Sequence, residues 1–275
     1  MTTPVASVVT PVYNAGPRLD EAVACVARQT FTGWEHVIVD DGSTDLPTRR
    51  ALDRAAAQPG VVVHRTENRG PAAARNVAIE HARGAYVLPL DADDTLAPTF
   101  LARTCAALDG SPEVGVVHTW VGLVGGHTGT WRTGPFAIPA LLARCTLHVS
   151  ALYRRELWVN AGGYDPAFQE RGEDWDFWIR LAAAGAIARE VPEALAFYRR
   201  TTGGREDAAR APGVSAAVMR RLATKHRRLY EAHVPEVAAA LFEEVTQLAG
   251  GLERIYGNPV VRAAVWARRL AGRSA

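Results

Sequence analysis

Apolar positions along the chain follow two alternating periods. Short β-branched runs occupy residues 6–13 (ASVVTPVY), 35–43 (EHVIVDDGS), 61–66 (VVVHRT), 85–91 (AYVLPLD) and 114–121 (VGVVHTWV). Each reads as a strand bounded by turn residues, such as Asn14-Ala15-Gly16-Pro17 after the first. Between them the period lengthens to that of a helix. Residues 18–29 place Leu19, Val23 and Val26 on one face, a further helix follows residue 43, and two more are expected over 71–82 and 98–109. Nearly continuous apolar strands separated by helices predict an α/β fold with a mostly parallel sheet covered on both faces. In such sheets ligands collect at the carboxyl ends of the strands.

The pattern weakens at 122–150, where the glycines of VGLVGGHTGTW predict a hairpin or flexible loops. Residues 151–200 carry a Gly-rich turn (NAGGYDP), an acidic helix start (GEDWDFWIRLAAAG) and a strand-like tail (ALAFYRR). In that helix Trp175, Phe177, Trp178 and Leu181 are packing residues. The polar segment 201–212 reads as a loop, and 213–271 as helical, with Pro235 and Pro259 at helix starts. The division expected is a domain over 1–205, with parts 1–120 and 121–205, and a C-terminal helical extension over 206–275.

Charge is nearly balanced, 31 basic against 29 acidic residues, which gives no reason to expect nucleic-acid binding. Cys25, Cys105 and Cys145 stand far apart in no metal-ligand spacing, which fits a reduced, cytoplasmic setting. The N-terminal residues lack the pattern of a signal peptide, and no apolar stretch of about 18 residues suggests a spanning helix. Residues 260–273 (VVRAAVWARRLAGR) could form a basic amphipathic helix that touches an anionic membrane from its inner face, or pack on the catalytic domain or a dimer partner.

The candidate chemistry lies where strands end in carboxylates. Asp91, Asp93 and Asp94 fall within four positions of LPLDADDTL. A D-x-D at a strand end can offer oxygen ligands to a hard divalent cation, and such cations commonly bridge to phosphates. Alternatively, Asp94 or Thr95 caps the helix beyond Pro98. Asp40 and Asp41 close the second strand, with Gly42-Ser43 allowing close backbone approach, and Ser43 or Thr44 are candidate caps. Asn68 and Gly70 shape a turn before a helix carrying Arg75 and Asn76. Glu173, Asp174 and Asp176 crowd a helix start, where acidic groups suit the dipole. His118 reads as a packed strand residue, while His148, Tyr198 and Arg199 line either the site or the sheet.

In this order VVTPVYN, VDDGSTD, NRGPAAARN, LDADD, GGYDP and GEDWDFWIRL resemble glycosyltransferase family 2, inverting nucleotide-sugar enzymes of the GT-A fold. The resemblance covers roughly residues 5–200. It implies that Thr10, Pro11, Tyr13 and Asp41 contact the nucleotide base or ribose, with Asn68, Gly70 and Arg75 near it. It also implies that Asp91 and Asp93 meet the ribose and a diphosphate-bound Mn²⁺ or Mg²⁺, and that Asp174 is the catalytic base. The implied donor is a nucleotide-diphosphate sugar, UDP-sugar first. The acceptor would be a glycan, a lipid-linked sugar or a small molecule. The Q-x-x-R-W motif of processive synthases is absent, so one sugar per encounter is expected. Two other readings remain: a nucleotidyltransferase on a related fold, although TPVYNAGPRLD lacks its Gly-rich basic phosphate loop, and a non-catalytic sugar-nucleotide-binding or scaffold protein.

Overall fold

The computed structural model describes residues 4–168, 171–200 and 214–257. Its first half is the expected parallel sheet. Strands β1 (Ala6–Val12), β2 (Trp34–Asp41), β3 (Val61–Thr66) and β4 (Tyr86–Pro89) lie in the order β3-β2-β1-β4, all parallel. The register pairs Val12 with Asp40 and Asp41 with Thr66, so the carboxyl ends form one edge. Helices α1 (Arg18–Ala27) and α2 (Leu46–Ala56) bury Leu19, Val23, Ala51 and Leu52 against Val12 and Ile38. Helix α3 (Pro71–His81) packs on β1 and β2.

One expected cap is replaced. Asp45, not Ser43 or Thr44, caps α2 by accepting from the Thr48 N–H at 2.8 Å. Ser43 Oγ instead accepts from the Asn14 N–H at 3.1 Å, and Asn14 Oδ1 accepts from the Thr44 N–H at 2.9 Å. The loops after β1 and β2 are thereby stitched to each other beside the crevice.

The second half departs from the purely parallel expectation. It contains β5 (Thr95–Leu96), α4 (Phe100–Asp109), β6 (Val114–Gly125), β7 (Gly129–Trp131), α5 (Ile138–Ala143), β8 (Leu152–Arg154), α6 (Arg155–Ala161), α7 (Glu173–Ala183) and β9 (Ile187–Arg200). Strand β8 runs antiparallel between β4 and β6, and β5 runs antiparallel to β9. Only β6 and β9 remain parallel, with register shifts around Trp120. At two residues, β5 is below what alternation can reveal in a sequence. Strand β6 folds back through β7, with Val121 opposite Trp131, which realises the expected hairpin.

The chain divides into two compact units, 1–227 and 228–275. Helix α8 (Val214–Lys225) belongs to the first. The second holds most of α9 (Arg227–Ala232) and all of α10 (Val234–Gly257), with Pro235 in its first turn as expected. Leu241, Phe242, Val245 and Leu248 are exposed along α10. Among the described residues no helix is long and apolar enough to cross a membrane. The expected boundary at 205/206, the loop 201–212, the Pro259 helix start and the basic stretch 260–273 lie outside the described residues.

At the end of β2 the chain turns through Gly42 at φ +75°, and a Cβ there would stand 2.9 Å from the Asn68 backbone nitrogen. Both the left-handed backbone and the close approach require glycine. Gly42→Ala is expected to cost about 1–2 kcal/mol from backbone strain alone. That corresponds to roughly 2–8 °C in Tm, read by thermal unfolding. An unchanged Tm would contradict both the left-handed backbone at Gly42 and its close approach to Asn68.

Candidate active site

Four strand ends and one helix start converge on a single crevice. At β1, Pro11 is partly buried and Tyr13 is 46% exposed at the rim. Thr10 is set back: its hydroxyl lies 2.8 Å from His36 Nε2, and both residues are fully buried. Burial pushes His36 down to about 3, so its ring is neutral and the pair belongs to the sheet interior. The Thr10 side chain therefore faces away from the crevice that Tyr13 borders.

Asp41, at the end of β2, is buried and aims both oxygens at the turn before α3. Oδ1 accepts from the Arg69 N–H at 2.8 Å and Oδ2 from the Gly70 N–H at 2.9 Å. Its two carboxylate oxygens thus fix the backbone of the Asn68–Gly70 turn. Gly70, at φ 89°, precedes α3 and lets the helix begin directly at Pro71. The neighbouring Asp40 does local work, accepting from the Ser43 N–H at 2.8 Å.

The turn aims α3 so that Arg75 lies buried at the centre of the site. One guanidinium nitrogen donates to Asp91 Oδ1 at 2.6 Å and the other to Glu173 Oε1 at 2.5 Å. A single cation thereby joins the D-x-D at the end of β4 to the first turn of α7, 98 residues further along the chain than Arg75. Burial alone would depress Arg75, but Asp91 and Glu173 together raise it well above its usual value. Asn76, on the next position of α3, anchors the Gly-rich turn. Its Oδ1 accepts from the Tyr164 N–H at 2.8 Å and the Trp158 indole at 3.0 Å, and its amide donates to the Tyr164 carbonyl at 2.7 Å.

The three aspartates of LPLDADDTL separate. Asp91 faces Arg75 and is partly exposed. The Asp93 side chain is 44% exposed and stands 3.6 Å from Arg18. Burial and the neighbouring Asp91 charge raise its pKa. Asp94 is 2% exposed and caps no helix. Its Oδ1 accepts from the Arg199 N–H on β9 at 2.9 Å, and Oδ2 faces His148 Nε2 at 3.5 Å. Thr95 likewise caps nothing and pairs in β5 with Phe197. The expected cap fails because the chain enters a strand at that point, and α4 starts at Thr99 with no side-chain cap. Burial, then Asp91 and Asp93, raises the Asp94 carboxyl well above the usual range.

Asp174 stands in the first turn of α7. Its Oδ1 accepts from the Trp175 N–H at 2.8 Å. Burial first, then Glu173, pushes its pKa up to about 7, against the opposing pull of Arg75 and the Trp175 N–H. A carboxyl poised near neutrality in a crevice suits general-base work. The sequence places Glu173 at the acidic helix start but does not reveal its pairing with Arg75. Its position beside Asp174 in the Glu-Asp pair was the available signal. His118 is packed in β6 with its Nδ1 hydrogen-bonded to the Thr133 hydroxyl at 2.8 Å, as expected of a strand residue.

Among the described residues no group of three or more His, Cys, Asp or Glu side chains is arranged to hold a metal ion. The protein can offer the Asp91 and Asp93 pair. A pair of carboxylates suits a cation that completes its shell with phosphate oxygens and water. The raised Asp93 carboxyl is consistent with that fit, because a nearby cation would relieve its repulsion from Asp91.

The family model described as glycosyl transferase family 2 matches residues 7–163. The O-antigen biosynthesis protein RfbC of Myxococcus xanthus is 32% identical over 78% of this chain and 17% of its own length. The chain spans only 13% and 36% of two other similar curated proteins, from Sinorhizobium fredii and Bacillus subtilis. Among solved structures, S. aureus TarS 1-349 in complex with UDP-GlcNAc superposes with TM-score 0.65 at 24% identity, covering 80% of this chain and 65% of that one. The mannosyltransferase PcManGT from Pyrobaculum calidifontis, in complex with GDP-Man and Mn²⁺, gives TM-score 0.60 at 23% identity over 96% and 83% of the two chains. These likenesses establish the GT-A fold, a mostly parallel sheet flanked by helices. With more than half of its length matched by the family model, the chain belongs to glycosyl transferase family 2.

Proposed function

We propose that this chain transfers a single sugar from a nucleoside diphosphate sugar to an acceptor hydroxyl, with inversion at the anomeric carbon. The observation that carries the reading is Asp174, pushed up to about 7 and joined through Glu173 and Arg75 to the D-x-D. A UDP-sugar is the favoured donor, supported by the likeness to TarS, whose structure holds UDP-GlcNAc. The acceptor is a hydroxyl of a glycan, a lipid-linked sugar or a small molecule.

In this reading Pro11 and Tyr13 flank the base, while Asp41 shapes the Asn68–Gly70 turn beside the ribose and leaves Thr10 as interior support. Asp91 and Asp93 would hold a Mn²⁺ or Mg²⁺ together with the donor diphosphate. When bound, that ion supplies Lewis-acid stabilisation of the negative charge on the departing diphosphate. Asp174 accepts the proton of the acceptor hydroxyl as its oxygen bonds to the anomeric carbon from the opposite face. The bond from that carbon to the phosphate oxygen breaks, and its electron pair leaves with the nucleoside diphosphate. One base and no covalent sugar–enzyme intermediate give inversion. Arg75 holds Asp91 and Glu173 in place through its two short ion pairs, so that the donor and base sides keep their spacing.

Asp174→Asn is expected to reduce transfer by roughly 10²–10⁴-fold while calorimetric UDP affinity in Mn²⁺ stays within about twofold of the wild type. Transfer at the wild-type rate would remove Asp174 as base. The base works only when ionised, so the rate should rise with pH to a plateau above about 7, following its raised pKa. It should fall about tenfold per unit well below that value. A flat rate between pH 5 and 8 would contradict the assignment.

Asp93→Ala is expected to weaken Mn²⁺-dependent UDP binding, read by calorimetry with and without the ion. Equal affinities in variant and wild type, each with Mn²⁺, would exclude Asp93 as a ligand.

A further inference from the structure

Two residues beyond the proposed base, Asp176 is fully buried and accepts from three side chains, Arg180, Lys225 and His226. Oδ2 accepts from Arg180 Nε at 2.8 Å. Oδ1 lies 2.8 Å from both Lys225 Nζ and His226 Nε2. Burial alone would raise this carboxyl, yet the bonds from His226, Lys225 and Arg180 pull it down to about 2. Lys225 reaches a second carboxylate, Asp165 of the Gly-rich turn, at 2.6 Å. Arg221 and Lys225 also lie over the Phe168 ring, at 4.7 and 5.2 Å from its centroid. Helix α8 therefore touches Asp165 of the Gly-rich turn, Phe168, and Asp176 of α7 together.

The segment leading into α7 needs an outside constraint. Helix α7 starts after Gly172, whose lack of a side chain leaves it no cap of its own. The hydrogen bond to the Asp174 carboxylate comes from the backbone of the very next residue, which fixes the rotamer and not the turn. A Cβ on Gly172 would fall 2.7 Å from a Val218 methyl, so α8 presses directly on the helix start. Glu173 is held by Arg75 from the donor side, and Asp176 by Lys225 and His226 from the α8 side. Asp174 lies between these two tethers.

We propose that Lys225 and His226, acting through Asp176, are positioning residues that set the first turn of α7 and with it the Asp174 carboxylate. The proposal rests on the reading of Asp174 as base. It gives the helix that follows the sugar-transfer domain a role in the chemistry without contact to substrate. A misplacement of the base on the order of 1 Å lowers turnover by up to about a hundredfold, and leaves a separately built donor site intact.

The test uses the full chain carrying Lys225→Met and, separately, Lys225→Arg. Lys225 is partly exposed, so both variants should fold. Lys225→Met is expected to lower kcat roughly tenfold to a hundredfold, with UDP affinity within about twofold of the wild type. Lys225→Arg should recover most of the loss by restoring a cation to Asp176 and Asp165. In protein labelled with 5-fluorotryptophan, the Trp175 fluorine resonance, identified by its loss in Trp175→Phe, should shift or broaden in Lys225→Met and return in Lys225→Arg. A kcat within twofold of the wild type with an unmoved resonance would overturn the proposal. So would a parallel fall in kcat, UDP affinity and Tm, the mark of general loosening. Wild-type turnover by Asp174→Asn would remove the base reading alone, because the Trp175 resonance reports on the turn without reference to turnover.

Discussion

The site depends on one buried cation. Arg75 has no long reach to water and two carboxylates within 2.6 Å, one from each side of the crevice. Its planar, permanently charged fork can satisfy both at once, which a lysine ammonium on its flexible stem would not do with the same geometry. Because burying charge is costly unless it is paired, neither Asp91 nor Glu173 can leave without stranding the guanidinium. The loss from removing one partner of a buried pair is on the order of 3–5 kcal/mol. That figure exceeds what most surface ion pairs supply and makes the spacing between the D-x-D and α7 a fixed quantity.

Negative charge in the crevice is nonetheless in excess. Asp91, Asp93, Asp94, Glu173 and Asp174 share Arg75, Arg18 and Arg199, and the imbalance appears as raised carboxyls at Asp93, Asp94 and Asp174. The three respond differently because their surroundings differ. Asp94 is sealed against β9 by the Arg199 N–H and by His148, so its oxygens are committed to the fold. Asp93 is nearly half exposed and can meet an incoming ion. Asp174 has a backbone N–H on one oxygen and a cation two bonds away through Glu173, a setting that holds a proton loosely near neutral pH. Asp176, three turns of chemistry removed in role but only two residues away in sequence, goes the opposite way. Three donors depress it. The same residue type thus titrates across several units within one helix turn, governed by which charges face it.

Much of the donor half could be read from the chain. Strands β1, β2 and β4 are mostly apolar and buried, and Asp41, Asp91 and Asp93 stand at or just beyond strand ends, where parallel sheets collect ligands. Residues whose partners lie far along the chain were the ones that could not be read. Glu173 meets Arg75 across 98 positions, and Asp94 meets Arg199 across 105. No local period encodes such pairs. Thr10 is a different case: its motif implies a nucleotide contact, while its hydroxyl bonds His36 in the sheet interior. Strand β5 escaped notice because a piece so short owes its pairing to neighbours already in place, not to its own composition.

The change of strand direction after β4 explains how two chemistries can share one crevice. Parallel strands β1 to β4 deliver turns to a single edge, which suits an extended diphosphate lying across several backbone ends. Antiparallel β8 then returns the chain beside β4, and α6 with the Gly-rich turn carries it to α7, whose first turn comes back to the same edge. A purely parallel continuation would need another crossover helix there and would cover the opening. The Asn76 side chain holds this return at Tyr164 and Trp158, one position along α3 from the arginine that holds Glu173. Helix α3 is therefore the common support of both halves: its start is fixed by Asp41, and its middle fixes the D-x-D and the base helix together. Displacement of that one helix would move the proposed base relative to the Asp91 and Asp93 pair, so its buried alanines, packed on β1 and β2, set that spacing as much as the charges do.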